Sequence, residues 1–177
     1  MTIEVRRAGV GDIETLRELA RAIWFEHYPS IISRSQIHYM LERGYAADVV
    51  AAEIARGVEW RLASVDGRAC GFAAWEAFGD RVKLHKLYVQ RSVRVGGVGR
   101  ALVAATAADA GERGARLVYL AVNKRNRIAI RAYVRMGFAF HRAMRIDIGH
   151  GFVMDDYEMA RPVQASIRRA FSVRPVG

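Results

Sequence analysis

Leu87-Tyr88-Val89-Gln90-Arg91-Ser92-Val93-Arg94-Val95-Gly96-Gly97-Val98-Gly99-Arg100-Ala101-Leu102 reads as a strand end, a glycine-rich turn and a helix start. A helix N-terminus exposes unpaired N–H groups and a partial positive charge, which together favour a bound anion. Gly96, Gly97 and Gly99 lack a Cβ, so a phosphate can approach the backbone closely. Arg91, Arg94 and Arg100 add positive charge and paired donors. Glycines after a strand also serve as plain turn residues, and this stretch alone leaves that reading open. Two phosphate-binding patterns fit badly. There is no Gly-Lys-Ser/Thr ending of a nucleotide P-loop. The spacing is not that of a dinucleotide fingerprint, and no acidic residue closes the next strand, Leu117–Val122.

Working outward, Ile3–Arg6 is a short strand, and Asp12 caps an amphipathic helix with Ile13, Leu16, Leu19, Ala20 and Ile23 on one face. Trp24–Ser33 reads as aromatic and irregular, broken at Pro29. Ser35 is expected to cap a short helix, Gln36–Arg43, that stops at Gly44, and Asp48–Arg56 is a further helix of this region. Trp60–Val65, Ala69–Phe78 and Val82–Val89 form an antiparallel meander, turning at Asp66-Gly67 and Gly79-Asp80. Val98–Arg113 is a helix, and Leu117–Val122 is apolar throughout, as a strand buried on both sides is. Asn126–Met136 is a helix, and Phe138–Ile148 with Phe152–Ala160 a final hairpin. The order is β-α-α-β-β-β-α-β-α-β-β. Val82–Val122 is a strand–loop–helix–strand crossover, so its strands are parallel while the rest of the sheet is mostly antiparallel. Residues 1–160 make one domain, and residues 161–177 a basic tail.

Arg94-x-x-Gly97-x-Gly99 resembles the signature of the GNAT superfamily of N-acetyltransferases, Arg/Gln-x-x-Gly-x-Gly/Ala, and Leu87-Tyr88-Val89 looks like that family's strand end. A second stretch, Asn126 to Phe138, is similar to the family's Asn-x-x-Ala-x-x-x-Tyr-x-x-x-Gly-Phe. Element order agrees over Ile3–Met159, while the motifs are specific over Leu87–Phe138. The resemblance implies an α/β (α+β) fold, with a mixed, mostly antiparallel sheet and helices on both faces. Its two central strands, here Val82–Val89 and Leu117–Val122, would splay around the pantetheine arm of acetyl-CoA. It places the cofactor along Leu87, Tyr88 and Val89, the loop Arg94, Val95, Gly96, Gly97, Val98, Gly99 and Arg100, and then Asn126, Ala129 and Tyr133. Tyr133 would protonate the departing thiolate. Read without the resemblance, Asn126 is a plain N-cap and Tyr133 a core tyrosine.

Transfer to an amine also needs a base. His85 is the first choice, placed by strand period two on the same side as Leu87, with Glu76 on the neighbouring strand second. Many family members carry a glutamate at the position of His85, and a histidine that only faces the substrate or the surface is the competing reading. Cys70 lies in an apolar strand and reads as a buried hydrophobe. No residue cluster has metal-ligand spacing, so no metal is expected. Trp24, Glu26, Tyr28 and Tyr39 are the candidate acceptor contacts, and the ending Gly149–Tyr157 resembles bacterial polyamine acetyltransferases. Asp155, Asp156 and Glu26 offer charge for a cationic amine, or stand at the hairpin's solvent face.

The chain has 177 residues, 28 of them Lys or Arg against 18 Asp or Glu, for a net charge of +10. That charge suits polyanions, including a phosphate-rich cofactor, but no RNA-recognition or zinc-finger pattern accompanies it. One cysteine excludes an internal disulfide, and no signal peptide or apolar span of about 18 residues is visible. The expectation is a cytoplasmic N-acetyltransferase for a small-molecule amine, with a homodimer implied by the resemblance. The alternatives are a peptide N-acetyltransferase, a non-catalytic acyl-CoA sensor and a basic nucleic-acid-binding module.

Overall fold

The computed structural model describes residues 2–163, apart from the side chains of residues 94 and 95. The basic tail beyond residue 163, and the side chains of Arg94 and Val95, therefore lie outside the described residues. The strands are β1 (Ile3–Ala8), β2 (Glu59–Val65), β3 (Arg68–Phe78), β4 (Arg81–Val89), β5 (Leu117–Asn123), β6 (Ala139–Gly149) and β7 (Phe152–Pro162). The helices are α1 (Ile13–His27), α2 (Arg34–Tyr45), α3 (Ala47–Ala55), α4 (Val98–Glu112) and α5 (Arg127–Arg135). The sheet order is β1-β2-β3-β4-β5-β7-β6, antiparallel except for β4 and β5. This is the expected mixed sheet. The Asp66-Gly67 turn has φ of 49° and 79°, the positive pair that a tight hairpin requires.

Three helices separate β1 from β2, one for each helical segment expected there, although the condensed order β-α-α-β counted two. α2 runs through Gly44 because Tyr45 packs its ring in the core with Trp24, Trp60 and Phe72. Burial of that ring outweighs glycine's low helix propensity. Extended backbone at Ala46 then separates α2 from α3. The cap of α2 is Ser33, whose Oγ accepts from the Gln36 amide at 3.1 Å, and not Ser35, which already lies in the first turn. α1 continues to His27, so Trp24–His27 is helical where irregular chain was expected.

Two cores lie on opposite faces of the sheet. α1 to α3 cover Trp60, Phe72 and Ala74, while α4 and α5 cover Trp75, Leu84 and Leu120. Two irregularities prepare the site. First, β4 and β5 pair only at Arg81–Leu117, Val82–Val118 and Lys83–Tyr119. Beyond those pairs both strands continue without a shared ladder, so a slot opens through the middle of the sheet. Second, the β3–β4 register jumps from Ala74–Lys86 to Trp75–Leu84, which leaves His85 as the extra residue of a β-bulge. Lys86 and Tyr88 consequently face α1 to α3, while Leu87 and Val89 face α4.

Candidate active site

The slot leads into a cavity of about 660 Å3, within the usual size range of small-ligand sites. Leu87, Tyr88 and Val89 form one wall, and Leu120 to Asn123 the other. Ala129 and Tyr133 of α5 close it on one face of the sheet, and Trp24 and Tyr28 of α1 on the other. The cavity therefore passes from one face of the sheet to the other.

Its lining is aromatic. Trp24 and Tyr28 stack with centroids 4.4 Å apart, and Tyr88 lies 5.7 Å from Trp24. Burial holds the hydroxyls of Tyr28, Tyr88 and Tyr133 well above the usual phenol pKa, so all three stay protonated. The Tyr133 ring meets Phe138 edge-on at 5.7 Å, which fixes it against α5's own C-terminal turn. Asn126 is 5% exposed, and its Oδ1 accepts from the Ala129 amide at 3.2 Å. It is thus the N-cap of α5, and it also lines the cavity and lies 3.0 Å from His27 Nε2. Asn126 is thus a cap whose position at the cavity wall is compatible with the cofactor contact that the resemblance implies.

Gly97 takes φ of 87° and serves as the N-cap of α4. No acid stands in α4's first turn, so nothing there competes with a bound anion. Gly99 reaches the cavity and Arg100 is exposed. Beside the main cavity is a second of about 510 Å3, lined by Arg91, Lys124, Arg125 and Arg127 with Glu26. The cluster Lys124, Arg125 and Arg127 was not singled out from sequence. It follows a strand end, and the fold alone brings it opposite Arg91.

His85 does line the cavity, but not as expected. The bulge turns it to the face opposite Leu87, where its Nε2 lies 3.2 Å from Glu76 Oε2. Burial first, then Lys83 and Lys86, lower its pKa, while Glu76 opposes them. Glu76 is absent from the cavity lining. Tyr39 is absent too, because its hydroxyl donates to the Ile148 carbonyl at 2.5 Å and its ring contacts His150 and Phe152. Tyr39 therefore ties α2 to the β6–β7 hairpin. Glu26 sits in the basic second cavity. Asp155 is exposed and paired with Lys124, and of the three proposed acids only Asp156 lines the main cavity.

Lys86 was not expected in the site at all. It is 9% exposed, donates to both oxygens of Glu53 at 2.8 and 2.7 Å, and lies 4.7 Å over the Trp60 ring. Burial lowers its pKa and Glu53 acts against this, so the ammonium depends on its partner. Removing one member of such a pair leaves an uncompensated buried charge, at a cost of about 3 kcal/mol or more. Glu53→Ala is expected to show that loss in urea unfolding. Adding Lys86→Met should restore much of it, and additive losses would show that the two charges are not coupled.

The Acetyltransferase (GNAT) family model matches residues 13–138. Spermidine N(1)-acetyltransferase of Thermoplasma acidophilum is 25% identical over 143 residues, 78% of this chain and 89% of that protein. Streptothricin acetyltransferase of Streptomyces lavendulae is 43% identical over 77 residues, covering 42% of this chain and 41% of that protein. The crystal structure of PaiA N-acetyltransferase from Thermoplasma acidophilum, in complex with coenzyme A, superposes with a TM-score of 0.79. It is 23% identical and covers 92% of this chain and 99% of that one. The family match spans both motifs, the slot and the α5 tyrosine, and this chain belongs to the GNAT family of acetyltransferases, enzymes whose acetyl donor is acetyl-CoA.

Proposed function

We propose that the protein acetylates a primary amine of a small molecule, by direct attack of the amine on acetyl-CoA. The observation that carries this reading is the slot, which opens on α5 at one face and into an aromatic chamber under α1 at the other. One substrate can then reach the reacting centre from each side. The donor's arm is assigned to the slot, where β4 beyond Lys83 has no strand paired on its β5 side. Leu87, Tyr88, Val89 and Ala129 would flank that arm, and the Leu87 and Val89 backbone would polarise the thioester carbonyl. The N-terminus of α4 at Gly97, Val98 and Gly99, with Arg91, Arg125 and Arg127, would hold the phosphates.

A small acceptor is favoured because the other side is roofed. Gln36 Nε2 donates to the Val153 carbonyl at 3.2 Å, and Arg43 Nη1 to the Ile148 carbonyl at 2.6 Å. These bonds and that of Tyr39 fasten α2 to the last hairpin, where a peptide acceptor would need an open groove. The spermidine-acetylating relative supports the same reading.

Calorimetric titration with acetyl-CoA, followed by thiol release with spermidine and a panel of small primary amines, tests the proposal. Saturable binding and turnover of an amine are expected. Binding with no turnover of any amine, but turnover of peptides, would move the acceptor to the protein class.

A further inference from the structure

Asp156 is the sole carboxylate lining the main cavity among the described residues. It is 6% exposed, and no described group gives it a hydrogen bond or an ion pair. Neighbouring acids are all engaged: Asp155 by Lys124, Glu158 by Arg142, and Glu53 by Lys86. A carboxylate buried at an apolar wall without a partner is costly, and the fold maintains one here facing the cavity.

Register gives its height in the slot. β5 pairs Asn123 with Asp156, and pairs Tyr119 with Lys83 of β4. Four steps beyond that last β4–β5 pair is Asn123 on β5, and on β4, with the bulge residue His85 discounted, Tyr88 next to Leu87. Asp156 thus stands level with Leu87 and Tyr88, the wall assigned above to the thioester. His85 lies lower on β4 and is turned to Glu76. Asp156 also faces α1, because Val122 and Tyr157, its alternating neighbours, pack toward α4 and α5. Tyr28 of α1 feels the charge of Asp156 and also bears on Tyr133, linking the two groups across the slot.

We propose that Asp156 is the catalytic base, which receives the acceptor's ammonium as an ion pair and removes its proton, and so selects compact aliphatic amines that are cationic in solution. This rests on the reading of acetyl transfer to an amine. A free alkylamine has a pKa of about 10.4, so only roughly one molecule in 2500 is neutral at pH 7. The carboxylate takes one N–H proton of R–NH3+ and becomes a carboxylic acid. The freed lone pair forms the C–N bond at the thioester carbonyl, and the C–S bond breaks with its electron pair on sulfur. Tyr133 gives its proton to that sulfur and recovers one from the nitrogen. Asp156 then releases its proton to water. The sum is R–NH3+ and acetyl-CoA giving the amide, CoA thiol and one H+.

Burial, then Asp155, push the Asp156 carboxyl up to about 6, with Lys124 opposing. The other charged or titratable groups around it are Tyr28 and His27 of α1, Glu158 held by Arg142 beside it, and, across the slot, Lys86 with Glu53 and His85 with Glu76. A base works deprotonated, so kcat/KM should fall as pH drops through about 6.

The test is Asp156→Asn, which keeps the shape, beside His85→Ala, using the amine of the panel that the wild type acetylates fastest. Asp156→Asn is expected to bind acetyl-CoA as the wild type does, to lose about 10²- to 10³-fold in kcat/KM, and to lose the acid limb of the pH profile. His85→Ala should keep that limb. The proposal is overturned if Asp156→Asn keeps the wild-type rate and limb, or if the limb vanishes in His85→Ala instead. If the wild type binds acetyl-CoA and acetylates no amine, the reading beneath the proposal fails, and Asp156 as an amine's base fails with it.

Discussion

Gly97→Glu should abolish measurable acetyl-CoA binding while the protein still folds. Gly97 sits at φ 87°, so any residue with a Cβ carries a conformational penalty of about 1–2 kcal/mol there. Space is not the obstacle, since a Cβ would meet nothing closer than Ile3 Cδ1 at 4.0 Å. The larger effect is electrostatic. A carboxylate about 5 Å from a phosphate, at an effective dielectric of about 20, is repelled by roughly 3 kcal/mol. It would also occupy the amide groups at the α4 N-terminus that a phosphate needs. The expected loss in affinity is about 100-fold or more. Gly97→Asn separates the causes, because asparagine tolerates this backbone region and carries no charge. It should bind acetyl-CoA several-fold more weakly at most, at a similar melting temperature. A folded Gly97→Glu protein with unchanged affinity would remove the α4 N-terminus from the phosphate site and leave the phosphates to Arg91, Arg125 and Arg127 alone.

The strand, turn and helix start of that loop were legible in the sequence, because three glycines after an apolar strand mark a turn, while its phosphate role stays a proposal that rests on the resemblance. The parallel crossover followed from the same stretch, since a helix must lie between β4 and β5. The slot itself came only from the resemblance, because no local pattern announces where a ladder stops. The bulge at His85 was illegible for a related reason. Strand periodicity assumes one residue per partner, and the extra residue is revealed only by Ala74 and Trp75 facing Lys86 and Leu84. One unread insertion reversed the side of the first-choice base. Lys86 and Glu53 were hidden by distance, 33 residues apart on different elements, with no local pattern to pair them. Asp156 was visible as an acid of the last hairpin, yet its neighbour Asp155 looked equivalent. Alternation decides between them: Asp155 points to solvent and Lys124, and Asp156 to the cavity. The aromatic run from Trp24 to Tyr39 divided in the same way, with Trp24 and Tyr28 in the chamber and Tyr39 bracing the hairpin.

Tyr133→Phe should lower kcat by about 10²-fold or more and leave acetyl-CoA affinity nearly unchanged. The ring's contact with Phe138 survives the substitution, so α5 and its side of the slot keep their shape. What disappears is one hydroxyl. Burial, with a smaller contribution from Tyr28, raises its pKa from the ordinary phenol value, so it is a donor at every working pH. A thiol has a pKa of about 8.5, so full transfer from such a phenol to a thiolate is uphill by itself. The step becomes favourable when the two proton movements are joined. As the C–N bond forms, the nitrogen becomes acidic, and the phenolate left by donation to sulfur is a strong base for its proton. In the proposed reaction Tyr133 would serve as a relay, with a hydrogen bond to sulfur that strengthens only as charge develops there. An interaction made in the transition state alone lowers kcat and kcat/KM together. That joint fall, measured by thiol release alongside calorimetry, is the signature to look for. A fall in affinity with kcat intact would make Tyr133 part of the donor's wall only, and equal rates would assign the proton to water.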